Sequence, residues 1–279
     1  VERIEWLLDR VAEVCPLPKS SERLLELTRS ETATIAEVAN VIATDPALAA
    51  AVLRIANSAI YAGGTVDRLE TAIVRIGLRE LHNMAAAMSL FAAFRNRGEA
   101  LVNFHDRAVV TGAIANRLAK VTAVCPPSVA FTCGLLSEIG AMACLSVEGK
   151  AYSLLLKESN NSLISRSVLE KERYGGSSYQ IGARFLERHK LPSNICDAIG
   201  TEADADPLQI EPLARILTLA RFASVIVINA GKAGGRAEAI AGLEALPQAL
   251  RGDGFDGARL FDLCLEAGAV AEQSIRSRR

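Results

Sequence analysis

Ala, Leu and Ile recur along this chain at helical spacing. Ile4, Leu7, Leu8, Val11 and Val14 form one stripe that stops at Pro16 and Pro18, and Leu24, Leu25 and Leu27 begin another. Thr34-Ile35-Ala36-Glu37 has the spacing of a capping box, in which a hydroxyl and a carboxylate each satisfy a free backbone N–H, so a helix is predicted to start there. Asp45-Pro46 is a second start signal, with Asp as N-cap and Pro at the first helical position, where its missing N–H costs nothing. That helix is predicted to reach Asn57 or Ser58. Gly63-Gly64 marks a loop, a short helix over 71–76 closes at Gly77, and a long apolar helix covers 78–94. The polar break at 95–98 is the predicted internal boundary, dividing an N-terminal helical half (1–97) from a second half (98–279).

The second half is predicted to restart near Glu99, run to about Val121 and break at Pro126-Pro127. Helices follow over 128–147, 150–158, 165–174 and 179–189, and Leu191-Pro192 reopens one near Ser193. An apolar helix over 212–229 ends at Gly231, Gly234 and Gly235, and two more cover 236–250 and 256–276. With aromatics at only 5% of residues, this favours an all-α protein over a sandwich or barrel.

The 279 residues suffice for one large domain or two modest ones. Net charge is -1, from 31 basic and 32 acidic residues, so no long-range field draws the surface towards nucleic acid or an anionic membrane. The basic cluster Arg276, Arg278 and Arg279 reads as a solvated tail. Six scattered cysteines, with no Cys-x-x-Cys pair, read as small core residues in a reducing cytosol. Glu2, Arg3, Glu5 and Asp9 at the start are unlike a signal peptide, and the longest apolar run, 84–94, is about half a membrane span. A cytoplasmic protein without a membrane partner is expected.

The segment Gly134-Leu135-Leu136-Ser137-Glu138-Ile139-Gly140 looks like the metal-binding turn of an HD-type phosphohydrolase in which the His-Asp pair has been replaced. An adjacent His and Asp would offer an imidazole nitrogen and a carboxylate oxygen to one divalent metal. Ser137 is a poor ligand beside imidazole, and Glu138 carries its carboxylate one methylene further out. Upstream, Asp45-Pro46-Ala47-Leu48, Leu53-Arg54-Ile55-Ala56-Asn57-Ser58-Ala59, and Thr71-Ala72-Ile73 with Ile76-Gly77-Leu78 fall in one order; downstream come Tyr179-Gln180-Ile181-Gly182-Ala183 and Leu191-Pro192. Together these resemble the HDOD family over roughly residues 12–230. The resemblance implies an all-helical, catalytically silent relative of the HD phosphohydrolases. It implies an N-terminal helical subdomain packed on an HD-like half, used in bacterial signalling as an output or scaffold module, as in response regulators and other two-component proteins. Partners would be signalling proteins such as receiver, kinase or cyclic di-GMP enzymes.

An active HD site needs about three protein ligands around each metal, whereas this chain has only His82, His105 and His189. His105-Asp106 lies near the family's first ligand position, which the alignment gives either to that pair or to Arg107. Where relatives carry paired histidines this chain has Gly200-Thr201-Glu202, and Glu202 completes the vestigial positions His105, Asp106, Ser137 and Glu138. No catalytic residue, metal or cofactor is expected. Gly231-Lys232-Ala233-Gly234-Gly235 follows a helix and lacks a P-loop's closing Lys-Ser/Thr. Arg54, Asn57 and Ser58 have two readings: a helix end locked by side-chain bonds to backbone, or a cleft in which guanidinium and amide hold a partner's carboxylate or phosphate. The expected function is therefore non-catalytic signal transduction through protein–protein contacts; the alternatives are a nucleotide sensor using the vestigial pocket and a residual phosphohydrolase.

Overall fold

A computed structural model describes the chain except residues 1, 16–18, 31, 58–60, 62–63, 79, 82, 85–93, 95–98, 234, 253 and 277–279. Among the described residues there are helices and no strands. The chain divides into two compact units, Cys15–Arg95 and the combination of Val1–Val14 with Asn96–Arg279. The division thus falls two residues before the expected 97/98 boundary, and the first helix groups with the larger unit.

The smaller unit holds α2 (Lys19–Arg29), α3 (Ile35–Ala43), α4 (Pro46–Ala56) and α5 (Leu69–Ile76). The expected starts are present. Thr34 and Glu37 form both halves of the capping box, and Asp45 Oδ1 accepts from the Leu48 amide at 3.1 Å, ahead of Pro46. Gly77 closes α5 at φ +84, a left-handed value that disfavours a side chain. Val38, Ile42, Val52, Ala72 and Ile73 form its core. The predicted helix over 78–94 and His82 lie largely or wholly outside the described residues.

The larger unit holds α1 (Glu2–Val14), α6 (Glu99–Thr122), α7 (Pro127–Leu136), α8 (Ile139–Glu148), α9 (Lys150–Glu158), α10 (Leu163–Tyr174), α11 (Ser178–Arg188), α12 (Ser193–Gly200), α13 (Pro212–Ala233), α14 (Arg236–Glu244), α15 (Gln248–Arg251) and α16 (Gly257–Arg276). The central helix, α6, packs against α7, α13 and α16, while α8 packs on α11 and α1. Leu7, Leu8 and Val11 bury the inner stripe of α1, and Arg188 of α11 pairs with Glu5 and, at 2.7 Å, Asp9. These contacts explain why α1 belongs here and not with the residues that follow it.

Three predicted helices differ from the structure. The run over 128–147 breaks at Ser137-Glu138, because the Ser137 hydroxyl donates to the Gly134 carbonyl at 2.6 Å and Glu138 leaves helical geometry (φ -105, ψ 7). The run over 236–250 breaks before Pro247, which has no N–H to continue α14. The helix α13 continues through Gly231 to Ala233.

Two stretches, Pro127–Glu148 taken across the Ser137-Glu138 turn and Pro212–Ala230, are long and apolar enough to cross a bilayer by composition. The expectation from the longest uninterrupted run missed both. The first is 83% and the second 61% buried within the fold, the pattern of core helices.

Candidate functional site

Close helix approach in the larger unit brings its polar residues together. A Cβ on Gly140 of α8 would collide with the Ser178 carbonyl and lie 2.6 Å from the Gly182 amide of α11, so α8 needs glycine at this crossing. Gly134 of α7 meets Gly112 of α6 in the same way. Between these crossings lies the α7–α8 turn, and its Glu138 points inward.

Glu138 is 3% exposed. Its Oε1 accepts from Arg107 Nε of α6 at 2.8 Å, and its Oε2 from Arg166 Nη1 of α10 at 3.0 Å. Burial alone would raise the Glu138 carboxyl pKa, but the two guanidiniums outweigh it and hold the value below the usual carboxylate range. Arg166 is also 3% exposed, and its Nε lies 3.5 Å from Glu170 Oε1 one turn on. Glu170 is fully buried; it accepts from the Tyr152 hydroxyl and from the Ser178 amide at 2.7 Å. Burial and then the Glu170 charge push the Tyr152 hydroxyl pKa well up, leaving that hydroxyl a donor.

Tyr179 of α11 has the Arg221 guanidinium 4.3 Å and the Arg166 guanidinium 5.4 Å from its ring centre. Arg221 of α13 donates to the carbonyls of Ile199 at 2.8 Å and Thr201 at 3.1 Å, and so caps the C-terminus of α12 where the helix dipole favours a cation. Glu202 just beyond it accepts from the Ser167 and Ser177 hydroxyls, each at 2.6 Å, and lies 3.3 Å from Lys171 Nζ.

The structure therefore brings Glu138 into a buried charged cluster, with Glu202 tied to α10 and α11 nearby. The residue placed on Glu138 from α6 is Arg107, the alternative left open at the His105-Asp106 position; His105 Nδ1 and Asp106 Oδ1 are 3.7 Å apart. The hydroxyl of Ser137 is spent on its own helix. These side chains do not fit the divalent metal of an HD hydrolase, because the Glu138 oxygens already face two guanidiniums and Ser137 offers no imidazole. Among the described residues no three His, Cys, Asp or Glu side chains converge as metal ligands.

Sequence reasoning missed Arg166, Glu170 and Arg221, and gave Tyr179 a place in a motif without a role. The signal for the first pair was present: Arg166 and Glu170 stand at i and i+4, the spacing of an ion pair along one helix face.

In the smaller unit Asn57 follows α4 and ties down the next loop: its Nδ2 donates to the Val66 carbonyl and its Oδ1 accepts from the Val66 amide, both at 2.7 Å. Arg75 Nη1 donates to the carbonyls of Ala56 and Gly64, at 3.2 and 2.7 Å. Arg54 is exposed on α4. Ser58 lies outside the described residues. The amide of Asn57 is thus used by the protein's own backbone, the first of its two readings.

The HDOD domain profile matches residues 14–205, more than half of the chain, and the chain belongs to that family. A protein from Shewanella amazonensis SB2B named "Putative phosphohydrolase" is similar in structure, with 25% identity, a TM-score of 0.71, and coverage of 96% of this chain and 97% of that one. An HDOD domain protein of unknown function from Geobacter sulfurreducens shares the fold at 19% identity and a TM-score of 0.66, over 97% of this chain and 96% of its own. No curated protein sequence matches the chain.

Proposed function

We propose that this chain is a non-catalytic module of bacterial signal transduction, cytoplasmic, acting as an output or scaffold unit through contacts with other signalling proteins. Receiver, kinase and cyclic di-GMP enzymes are the expected partner classes. Arg54, with the Asn57-braced loop beside it, is the candidate contact surface of the smaller unit. Membership of the HDOD family supports the signalling role.

The observation that carries the non-catalytic part is the state of Glu138. An HD hydrolase turn presents its carboxylate to a metal, whereas this one is buried between Arg107 and Arg166. Placing a divalent cation there would set it against two guanidiniums within a few ångströms, a repulsion of about 4 kcal/mol per unit charge at 4 Å and an effective dielectric near 20. The test is phosphodiester hydrolysis by the purified chain supplied in turn with iron, manganese and magnesium. The proposal expects no turnover above buffer with any of them; metal-dependent turnover lost in a Glu138→Gln variant would refute it.

A further inference from the structure

The larger unit has a cavity of about 180 Å³ beside the Glu138 clamp, and its lining includes Asn103, Arg107, Asn161, Ser162, Leu163 and Arg166. The geometry points to a binding site for a phosphate dianion, either free or as a small phosphomonoester, held by Arg107, Arg166 and the N-terminus of α10. This goes beyond the signalling proposal and does not rest on it.

Glu138 takes Nε of Arg107 and Nη1 of Arg166, which orients both guanidiniums while leaving their Nη2 groups over. Both Nη2 atoms are buried without a hydrogen-bond partner, and Arg166 is 97% buried as a side chain. Unsatisfied buried donors are costly and rare in folded proteins, so two on neighbouring cations call for an acceptor. No acidic side chain is among the residues that line the cavity. The partly exposed Arg107 and the buried Arg166 and Arg221 together face the two carboxylates of Glu138 and Glu170, leaving one positive charge in excess.

The third element is the start of α10. The Ser162 hydroxyl accepts from the Ser165 amide and the Ser162 carbonyl from the Arg166 amide, so the amides of Leu163 and Ile164 have no acceptor within the helix. Both Ser162 and Leu163 line the cavity, so the positive end of a twelve-residue helix faces the same space as the two arginines. The turn before it runs through Asn160 and Asn161 at φ +48 and +60, left-handed values that asparagine tolerates better than most residues, and this turn sets Asn161 at the rim. Size limits the ligand. Ordinary small-molecule pockets span about 300–1,000 Å³, so this one suits a phosphate group with a small appendage and not a whole cyclic dinucleotide.

The test is calorimetric titration of the full chain with inorganic phosphate, glycerol phosphate and acetate at constant ionic strength in chloride. The expected result is saturable one-to-one phosphate binding, weakened about tenfold or more by Arg107→Gln and by Asn103→Glu, which adds a negative charge at an exposed rim position one helical turn from Arg107 and leaves Arg107, Arg166 and Glu138 themselves unchanged. Arg184→Gln, on an exposed arginine paired with Glu187, should leave binding unchanged. Tighter binding of glycerol phosphate identifies a phosphomonoester as the ligand class; equal or weaker binding identifies free phosphate. Absence of saturable phosphate binding, acetate binding as well as phosphate, or binding indifferent to both cavity variants would overturn the assignment. None of these outcomes bears on metal-dependent hydrolysis, so the two proposals fail separately.

Discussion

Replacing Glu138 by Gln keeps the side chain's size and removes its charge. The Gln carbonyl can accept from one of Arg107 and Arg166, but its NH2 then faces the other guanidinium, donor against donor. Breaking a buried ion pair by neutralising one partner costs about 3–5 kcal/mol, because the remaining charges stay buried. Arg107, with its side chain 20% exposed, can turn part of its charge to water, whereas Arg166 at 3% cannot, so the lower end of that range, about 3 kcal/mol, is expected. Urea unfolding followed by Trp6 fluorescence reads this directly, since Trp6 is the only tryptophan and stands on α1, which packs against α8 just after Glu138. The effect has a defined pH dependence. The folded Glu138 pKa is depressed, so its contribution is fully present above the unfolded value of about 4.5 and is lost as pH falls through the folded value. The gap between the two proteins should therefore be widest near pH 7 and narrow only below about pH 4.5. A gap under about 0.5 kcal/mol at pH 7, or one that is the same at pH 4 and pH 7, would refute the reasoning.

Other perturbations test the frame around this cluster. Gly140→Ala puts a methyl group into the backbone of α11 and should cost about 3 kcal/mol or more by the same urea assay, with Ala143→Gly, a buried neighbour on α8, costing only about 1 kcal/mol. Asn57→Ala strips both partners from the buried Val66 backbone, and should lower the stability of the smaller unit by about 2 kcal/mol and speed amide exchange at Val66. Five of the six cysteines are buried and Cys125 is partly exposed, so a thiol reagent at pH 8 should modify one equivalent on the native chain and place it on Cys125 by mass spectrometry. Burial pushes Cys264 up to about 12 and Cys196 up to about 11, so both should react only after unfolding.

Local signals were the legible part of this sequence. The capping box at Thr34 and the Asp45-Pro46 start are written in adjacent residues, so helix starts and the all-α class could be read directly. The HDOD motifs added the family, because their order survives along the chain. The Ser137-Glu138 turn was hidden in an apolar run, since what breaks it is a hydroxyl-to-carbonyl bond and a charge partner from another helix. Long-range pairing hid most of the cluster: Glu138 meets Arg107 and Arg166 across 31 and 28 residues, and Arg221 reaches back about 20 residues to Thr201. Single-position reasoning singled out Glu138, but only the fold shows which charged side chains surround it. Placing α1 likewise depended on α8 and α11, far away in sequence.

The central claim is that arginines have taken the place of a metal around Glu138. The most direct measurement is elemental analysis of the purified chain after incubation with iron and manganese and removal of excess. The account predicts less than about a tenth of a metal ion per chain, with no change when Glu138 is replaced by Gln. One or more ions per chain, lost in that variant, would contradict it.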